Sequence, residues 1–206
     1  MRAVPRLARV AVLVLLLLSV AVGGVQAGAN ARLRGEYQFT QSRQCINASA
    51  GFNADLSLVL PVPAGGFINK TAHVDRGTVQ YNGDGTGVAS VHSTRLRINQ
   101  GLAGNLTVTA PVSESDVSCT LTYTVNADGS VDHQATCNFT VVAGDGVGNT
   151  GAVTGIQTRR QIVHGNTMLL HMPANTPTVE TVLDTTAGPP VVDYYRVCMR
   201  SGISSK

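Results

Sequence analysis

The sequence predicts an all-β fold, an antiparallel up-and-down barrel of roughly 8–10 strands, with a β-sandwich as the alternative. Three observations predict it. Apolar and polar residues alternate with period two over many segments, clusters of Gly, Asn, Asp and Pro separate those segments, and no long stretch of the 206 residues has the periodicity of a helix. Most turns are local, which is typical of strands that pair with their neighbours in the chain.

Residues 1–27 have the three parts of a secretory signal peptide. Arginines at positions 2, 6 and 9 precede the apolar run VAVLVLLLLSVAV, and Val25-Gln26-Ala27 offers small residues where a signal peptidase cuts. Cleavage after Ala27 would leave 28–206 as a single secreted β domain, in the periplasm or outside the cell. An uncleaved anchor is the alternative, but the run is short for a membrane span, and no span is predicted after cleavage.

Removal of this segment changes the charge of the chain. The sequence has 15 basic and 12 acidic residues, and three of the basic ones lie in the segment, so the remainder is close to neutral. A nucleic-acid-binding protein needs a clustered basic face, and the only basic clusters are the pairs Arg95/Arg97 and Arg159/Arg160. Nucleic acid is therefore not an expected partner.

The strands are predicted from alternation bounded by turn residues. In chain order they are LRGEYQFTQS, KTAHVDRGTVQY, TGVASVHSTRLRI, VSCTLTYTV, SVDHQATCNFTVV, AVTGIQTRRQIVH, TMLLHM and VVDYYRVCMR. The segments PVPAGG, MPANTP and AGPP are predicted loops, because proline cannot donate to a sheet ladder.

The clearest unit is a hairpin over 117–142. Its two strands alternate strictly, and Asn126-Ala127-Asp128-Gly129 fits a four-residue loop built on a type I turn. The alternation places Tyr123 and His133 on the inward face of this hairpin.

The stretch YNGDGTGVA, residues 81–89, resembles the front half of a calcium loop. Asn82, Asp84 and Thr86 place an oxygen at every second position, and Gly87 stands sixth from Asn82. The twelfth position is Ser93, where such a loop needs a bidentate acid, and strands rather than helices flank the stretch. Asn-Gly and Asp-Gly are strong hairpin signals, so we interpret it as a turn.

No catalytic, cofactor or metal motif is recognisable. Residues 146–151 match G-x-G-x-x-G, but a strand rather than a helix follows, so we interpret them as a glycine-rich loop. The five histidines have no metal-ligand spacing, G-x-S-x-G is absent, and the acids are scattered singly. The sequence therefore predicts no cofactor and gives no support to an enzyme.

The four cysteines predict disulfides, because an even number follows a secretory signal. Cys119 and Cys137 face each other across the 126–129 turn and are predicted to be bonded. Cys45 follows the first strand and Cys198 lies in the last, so that a bond between them would tie the terminal strands where a barrel closes. A zinc held by all four thiolates is the rival, although no C-x-x-C is present.

The opening LRGEYQFT resembles the G-x-W opening of calycins, the lipocalin and avidin group, with Tyr37 in place of the tryptophan. In lipocalins an arginine near the last strand packs over that tryptophan, and the resemblance implies Arg196 or Arg200 in this role. The combination of GEYQFT, an early cysteine and NGDGTG also looks like uncharacterised secreted proteobacterial proteins, which implies a location but no activity.

Three functions follow from these observations. The first is a structural or protein-interaction domain of the cell envelope or extracellular space, with an envelope protein as partner. The second is a barrel that binds a small apolar ligand in a cavity lined by Tyr37, Tyr123, His133, His92 and Arg196. The third is a calycin-like enzyme. An outer-membrane barrel is disfavoured, because 4% aromatic residues are too few for two girdles.

Overall fold

The computed structural model describes residues 28–100, 106–107, 112–163, 166–171 and 178–206. The predicted signal peptide, residues 1–27, lies outside them. The strands are β1 (Arg34–Ala48), β2 (Ile68–Asn82), β3 (Thr86–Gln100), β4 (Leu106–Thr107), β5 (Val112–Val125), β6 (Ser130–Gly144), β7 (Thr150–Val163), β8 (Thr167–His171), β9 (Val179–Asp184) and β10 (Val191–Ser205). No helix of the described residues is both long and apolar enough to cross a membrane.

The strands form one antiparallel sheet that closes into a ring. The long strands from β1 to β7 each pair with the next long strand along the chain, and β1 pairs with β10 to close the barrel. β8 and β9 lie end to end between β7 and β10, and the two-residue β4 pairs only with β3. The predicted up-and-down barrel is confirmed, and the sandwich alternative is not what forms. The sequence-based reading did not identify β4 and β9 as strands.

Both predicted disulfides are present. Cys119–Cys137 joins directly paired residues of β5 and β6. Cys45–Cys198 joins directly paired residues of β1 and β10, at the seam that closes the ring. Each bond therefore reinforces a strand pair that the backbone ladder already aligns.

The NGDG segment is the hairpin turn between β2 and β3. Gly83 and Gly85 have φ of 86° and 96°, which side chains other than glycine's rarely permit. Asp84 Oδ1 accepts hydrogen bonds from the backbone N–H of Thr86 at 2.8 Å and from its hydroxyl at 2.7 Å. The same Asp-x-Ser/Thr arrangement shapes the turn at Asp128 and Ser130. The interpretation of NGDG as a turn agrees with this geometry.

Side chains alternate across the barrel wall, and those that face inward divide its interior into two parts. One end, here called the aromatic end, is apolar; its buried residues are Leu33, Tyr37, Val79, Tyr81, Leu121, Tyr123, Val125, Val131 and Met168. The other part, here called the polar half, contains ionisable side chains; they include Arg43, His73, Asp75, Arg95, Glu180, Arg196 and Arg200. The two parts meet near the middle of the strands.

Candidate functional site

Tyr81 is the centre of the aromatic end. Its ring contacts Tyr37 edge-on at 5.5 Å and Tyr123 at 5.0 Å between ring centroids. Its hydroxyl lies 3.3 Å from Nε2 of His133. Such edge-to-face aromatic pairs add stability beyond the area they bury. With Tyr81 fully buried, these rings fill the barrel here rather than line a cavity.

The segment before β1 closes the aromatic end. The Tyr123 hydroxyl donates to the carbonyl of Leu33 at 2.8 Å and accepts from the N–H of Gly83 at 2.9 Å. Asn30 Oδ1 accepts from the N–H of Val125 at 2.9 Å. Leu33 is itself buried beneath this cap. One hydroxyl therefore joins the cap to the β2–β3 turn, and burial raises the pKa of Tyr123, which keeps that hydroxyl protonated.

Glu180 of β9 binds two arginines of β10 inside the polar half. Arg196 Nε donates to Glu180 Oε2 at 2.8 Å, and Arg200 Nη2 donates to the other carboxylate oxygen. Glu180 is fully buried. Burial alone would raise the pKa of Glu180, but Arg196 and Arg200 outweigh it and lower the pKa from 4.5 to about 2. The carboxylate is therefore charged over the whole physiological range.

Arg43 of β1 and Asp75 of β2 form a second buried ion pair. Arg43 Nη2 lies 3.2 Å from Asp75 Oδ1, and Gln41 donates to the other carboxylate oxygen at 2.8 Å. The same Nη2 lies 3.0 Å from Nδ1 of His73. Because arginine can only donate, Nδ1 accepts, and the ring proton is on Nε2, directed to Thr71 at 3.1 Å. Burial, and then Arg43, lowers the pKa of His73 far below its ordinary value, so the ring is neutral.

Described residues line two cavities in the interior. The larger, of about 110 Å³, spans the boundary between the two parts of the barrel. Its lining comprises Phe39, Gln41, Arg43, Asp75, Val79, Ala89, Val91, Val117, Cys119, Leu121, His133, Ala135, Cys137, Ile156 and Arg200. The smaller, of about 60 Å³, lies deeper in the polar half. Its lining comprises Arg43, His73, Ser93, Arg95, Ser115, Val117, Phe139, Val141, Val153, Tyr194 and Arg196.

The structure brings together three of the five predicted cavity residues. Tyr37, Tyr123 and His133 are all buried at the aromatic end, and His133 also lines the larger cavity. Arg196 is buried too, but it lies in the polar half, opposite Asn47 of β1 and bound to Glu180. The calycin-like contact implied for Arg196 with Tyr37 is therefore replaced by an ion pair.

His92 lies on the outer wall, away from the other predicted cavity residues. Its side chain pairs with Asp116 at 2.9 Å and Glu114 at 3.7 Å on β5. The sequence placed His92 inward because Val88 and Leu96 share its face of β3, yet Val88 is exposed. The inward face of β3 instead carries small and polar residues such as Ala89, Ser93 and Arg95, which suit an interior that holds tyrosines and ion pairs.

The sequence reading missed the ionic interior, although one signal could have found it. Cys45 and Cys198 were predicted to be bonded, which requires both to lie on the same face of the sheet, and cysteines are most often on the buried face. Strand alternation then turns the residues two positions away in the same direction. Those residues are Arg43, Asn47, Arg196 and Arg200. Three arginines around one disulfide predict buried acids, which are Asp75 and Glu180.

Most of the charged groups of this interior are paired with one another. Within the described ranges, no group of three or more His, Cys, Asp or Glu side chains is arranged to hold a metal ion. The two buried carboxylates are each engaged by arginine. The neutral His73 has Arg43 on one ring nitrogen and Thr71 on the other. These groups hold one another in place.

Comparisons with known proteins add a single structural likeness. No protein-family model matches the chain, and no curated protein matches it. The crystal structure of Neisserial surface protein A (NspA) matches with 10% sequence identity and a TM-score of 0.45, over 84% of this chain and 99% of that one. The strand pairing of this chain alone defines the barrel.

Proposed function

We propose that the protein is a structural or protein-interaction barrel of the cell envelope or the extracellular space, whose interior is filled by its own side chains. The observation that carries this proposal is the occupied interior. Pockets for drug-sized ligands measure about 300–1,000 Å³, whereas the two interior cavities that described residues line measure about 110 and 60 Å³. An open hollow of about 450 Å³ lies instead between the 50–56 segment and Tyr195. Tyr81, Tyr37 and Tyr123 occupy the space in which an apolar ligand would lie.

The polarity of the outer wall supports the proposal that water surrounds the barrel. Many outward positions of β5 and β6 are exposed hydroxyl and amide side chains; they include Ser118, Thr120, Thr122, Gln134, Thr136, Asn138 and Thr140. The exposed apolar residues of these two strands are Val112 and Val142. A barrel that spans a membrane presents an apolar band to lipid at this height. Four exposed polar residues of β1, namely Gln38, Thr40, Ser42 and Gln44, continue the same pattern.

The two disulfides support the proposal that the protein resides in an oxidising compartment. Disulfides persist in secreted and periplasmic proteins and are rare in the cytosol. Cleavage after Ala27 and residence outside the cytoplasm remain our proposal on the strength of residues 1–27. Together with a water-facing wall, they favour a free or peripherally bound envelope protein.

A carrier of small apolar molecules, including one of calycin type, is the alternative. The larger cavity has apolar walls at Val79, Val91 and Leu121 and is close in size to cavities that admit a benzene-sized molecule. It also borders Arg43, Asp75 and Arg200, whose ionic network an apolar occupant could not satisfy. This favours the filled barrel. A calycin-like enzyme has no observation to support it.

Native mass spectrometry separates the filled barrel from the carrier. The protein is purified from its own host and weighed under non-denaturing conditions, and binding of a fluorescent apolar probe is measured on the same sample. We expect the mass of the oxidised chain alone and no probe binding. A retained apolar molecule in one-to-one stoichiometry, or probe binding that His133→Leu changes, would establish the carrier instead.

A further inference from the structure

The smaller cavity has a positively charged side, while Val117, Phe139, Val141 and Val153 form an apolar side. Arg43, Arg95 and Arg196 line it, and no carboxylate is among its lining residues. Hydroxyl groups of Ser93 and Ser115 complete its polar wall. A cavity with several guanidinium groups and hydroxyl donors offers many hydrogen-bond donors to one occupant.

The acids of the polar half do not balance its arginines. Asp75 pairs with Arg43, while Glu180 is shared by Arg196 and Arg200. Arg95 donates through Nε to the hydroxyl of Ser113 at 3.0 Å, and no described carboxylate lies within ion-pair distance of it. Among the described side chains of the polar half, four arginines thus face two buried carboxylates. The exposed Asp193 of β10 is a further acid, whose pKa partial desolvation raises while Arg97 and Arg95 act to lower it. A charge imbalance in a poorly solvated space is costly unless an ion of opposite sign compensates for it.

A buried hydrogen-bond donor is the second indication that the polar half holds an occupant. Arg43 Nε is shielded from solvent and has no hydrogen-bond partner among the described residues. An orphaned donor costs stability in a folded protein, and a water molecule or an anion in an adjoining cavity would satisfy it. Burial, together with the nearby Arg196 and Arg200, lowers the pKa of Arg43 to about 10, as expected where positive charges are crowded.

The volume restricts what the partner can be. About 60 Å³ corresponds to roughly two water molecules at their share of liquid volume. A halide or a small oxyanion fits this space, whereas a lipid or peptide does not. The neutral His73 and the serine hydroxyls can adjust to such an anion without a change of charge.

We propose that the barrel interior binds one small inorganic anion, a halide or small oxyanion, between Arg43, Arg95 and Arg196. This site goes beyond the structural role proposed above, because it makes the stability of the barrel depend on the anions around it. The anion supplies the negative charge that the described carboxylates of the polar half do not.

Thermal unfolding in matched salts tests the proposal. The purified, oxidised protein is heated in sodium chloride, nitrate or sulfate at constant ionic strength, with sodium gluconate, whose anion is too large for the cavity, as the reference. At a tenfold excess over Kd, a bound anion raises the Tm by roughly 3–6 °C for a chain of this length. We expect at least one small anion to give such a saturable rise.

Arg95→Gln is the informative variant, because it removes a guanidinium without leaving a carboxylate unpaired. We expect it to abolish the anion-dependent rise and to leave the Tm in gluconate unchanged or higher. Arg76→Gln, on the outer face of β2, is the matched control and should keep the full rise. An equal rise in both variants, or no rise in the unmodified protein, would overturn the proposal.

Anomalous diffraction keeps the test decisive if Arg95→Gln does not fold. Crystals of the unmodified protein are grown or soaked in sodium bromide. We expect an anomalous peak within hydrogen-bond distance of Arg43 and Arg95. Bromide found only on the outer wall would show an adventitious ion only and would reject the site.

Discussion

Arg196 Nε donates to Glu180 Oε2 over 2.8 Å at a position where both side chains are buried. Two charges can remain there because the ladder between β9 and β10 sets them directly opposite each other. Their neighbour Arg200 shares the same carboxylate. Both arginines of β10 in the polar half therefore depend on one acid.

Glu180→Gln should lower the free energy of unfolding by about 3–5 kcal/mol, because it leaves two buried arginines without their carboxylate. Urea denaturation followed by circular dichroism measures the change. Glu114→Gln, on the outer wall, is the control and should alter stability by no more than about 0.5 kcal/mol. Equal losses in the two variants would mean that the buried network contributes little.

The free energy of unfolding should fall in strong acid, because Glu180 is then protonated. The arginines hold its folded pKa at about 2, below the unfolded value of about 4.3. A depressed carboxylate pKa stabilises the fold above the unfolded pKa, and that stability is lost as the pH falls through the folded value. The advantage of the unmodified protein over Glu180→Gln should therefore shrink between pH 4.3 and 2, as measured by urea midpoints. A constant difference across this range would refute the linkage.

The two disulfides should contribute unequally to the free energy of unfolding. Cys45–Cys198 closes a loop of 153 residues and Cys119–Cys137 one of 18. The chain-entropy relation gives about 5 and about 3 kcal/mol. The double alanine variant at Cys45 and Cys198 should be the less stable of the two double variants by about 2 kcal/mol in chemical denaturation. The reverse order would show that strand pairing, not loop closure, governs their effect.

Tyr123→Phe should destabilise the barrel by about 1–3 kcal/mol, because the N–H of Gly83 and the carbonyl of Leu33 both lose their partner. Hydrogen exchange should speed up in the cap over 28–33 and in the β2–β3 turn. Tyr195→Phe, on the outer face of β10, is the matched control. Faster exchange spread evenly over all strands would argue against a local role for this hydroxyl.

Calcium should leave thermal unfolding unchanged at submillimolar concentration. Asp84 Oδ1 already accepts two hydrogen bonds from Thr86, and the turn contains no other carboxylate. A saturable rise in Tm that disappears in Asp84→Ala would identify a site.

Alternation and turn chemistry were sufficient to predict the barrel and the pairing of its cysteines. Tyr123 and His133 were placed inward because their hairpin alternates over its full length. In β3 the alternation predicted the wrong inward face, because Val88 and Leu96 lie on its outward face. Its inward face carries Arg95 and Ser93. Where a barrel interior is polar, as in the polar half, the more hydrophobic face of a strand does not point inward.

The ionic interior could not be read directly from single residues. Glu180 stands alone among apolar and hydroxyl residues in VETVLD, and its partners lie at positions 196 and 200, across a turn. Asp75 and Arg43 belong to different strands, and only the register of β1 with β2 brings them together. Register depends on the whole sheet, whereas alternation is a property of each strand.

The closing seam has a consequence for the order of events during synthesis. β1 and β10 are the first and last strands of the barrel, and they pair over Gln38–Ala48 and Tyr195–Ser205. While the chain grows, one edge of β1 has no partner until β10 emerges, and an open strand edge invites pairing with other chains. Interrupting translation anywhere before Tyr195 would therefore leave an aggregation-prone sheet rather than a smaller stable domain.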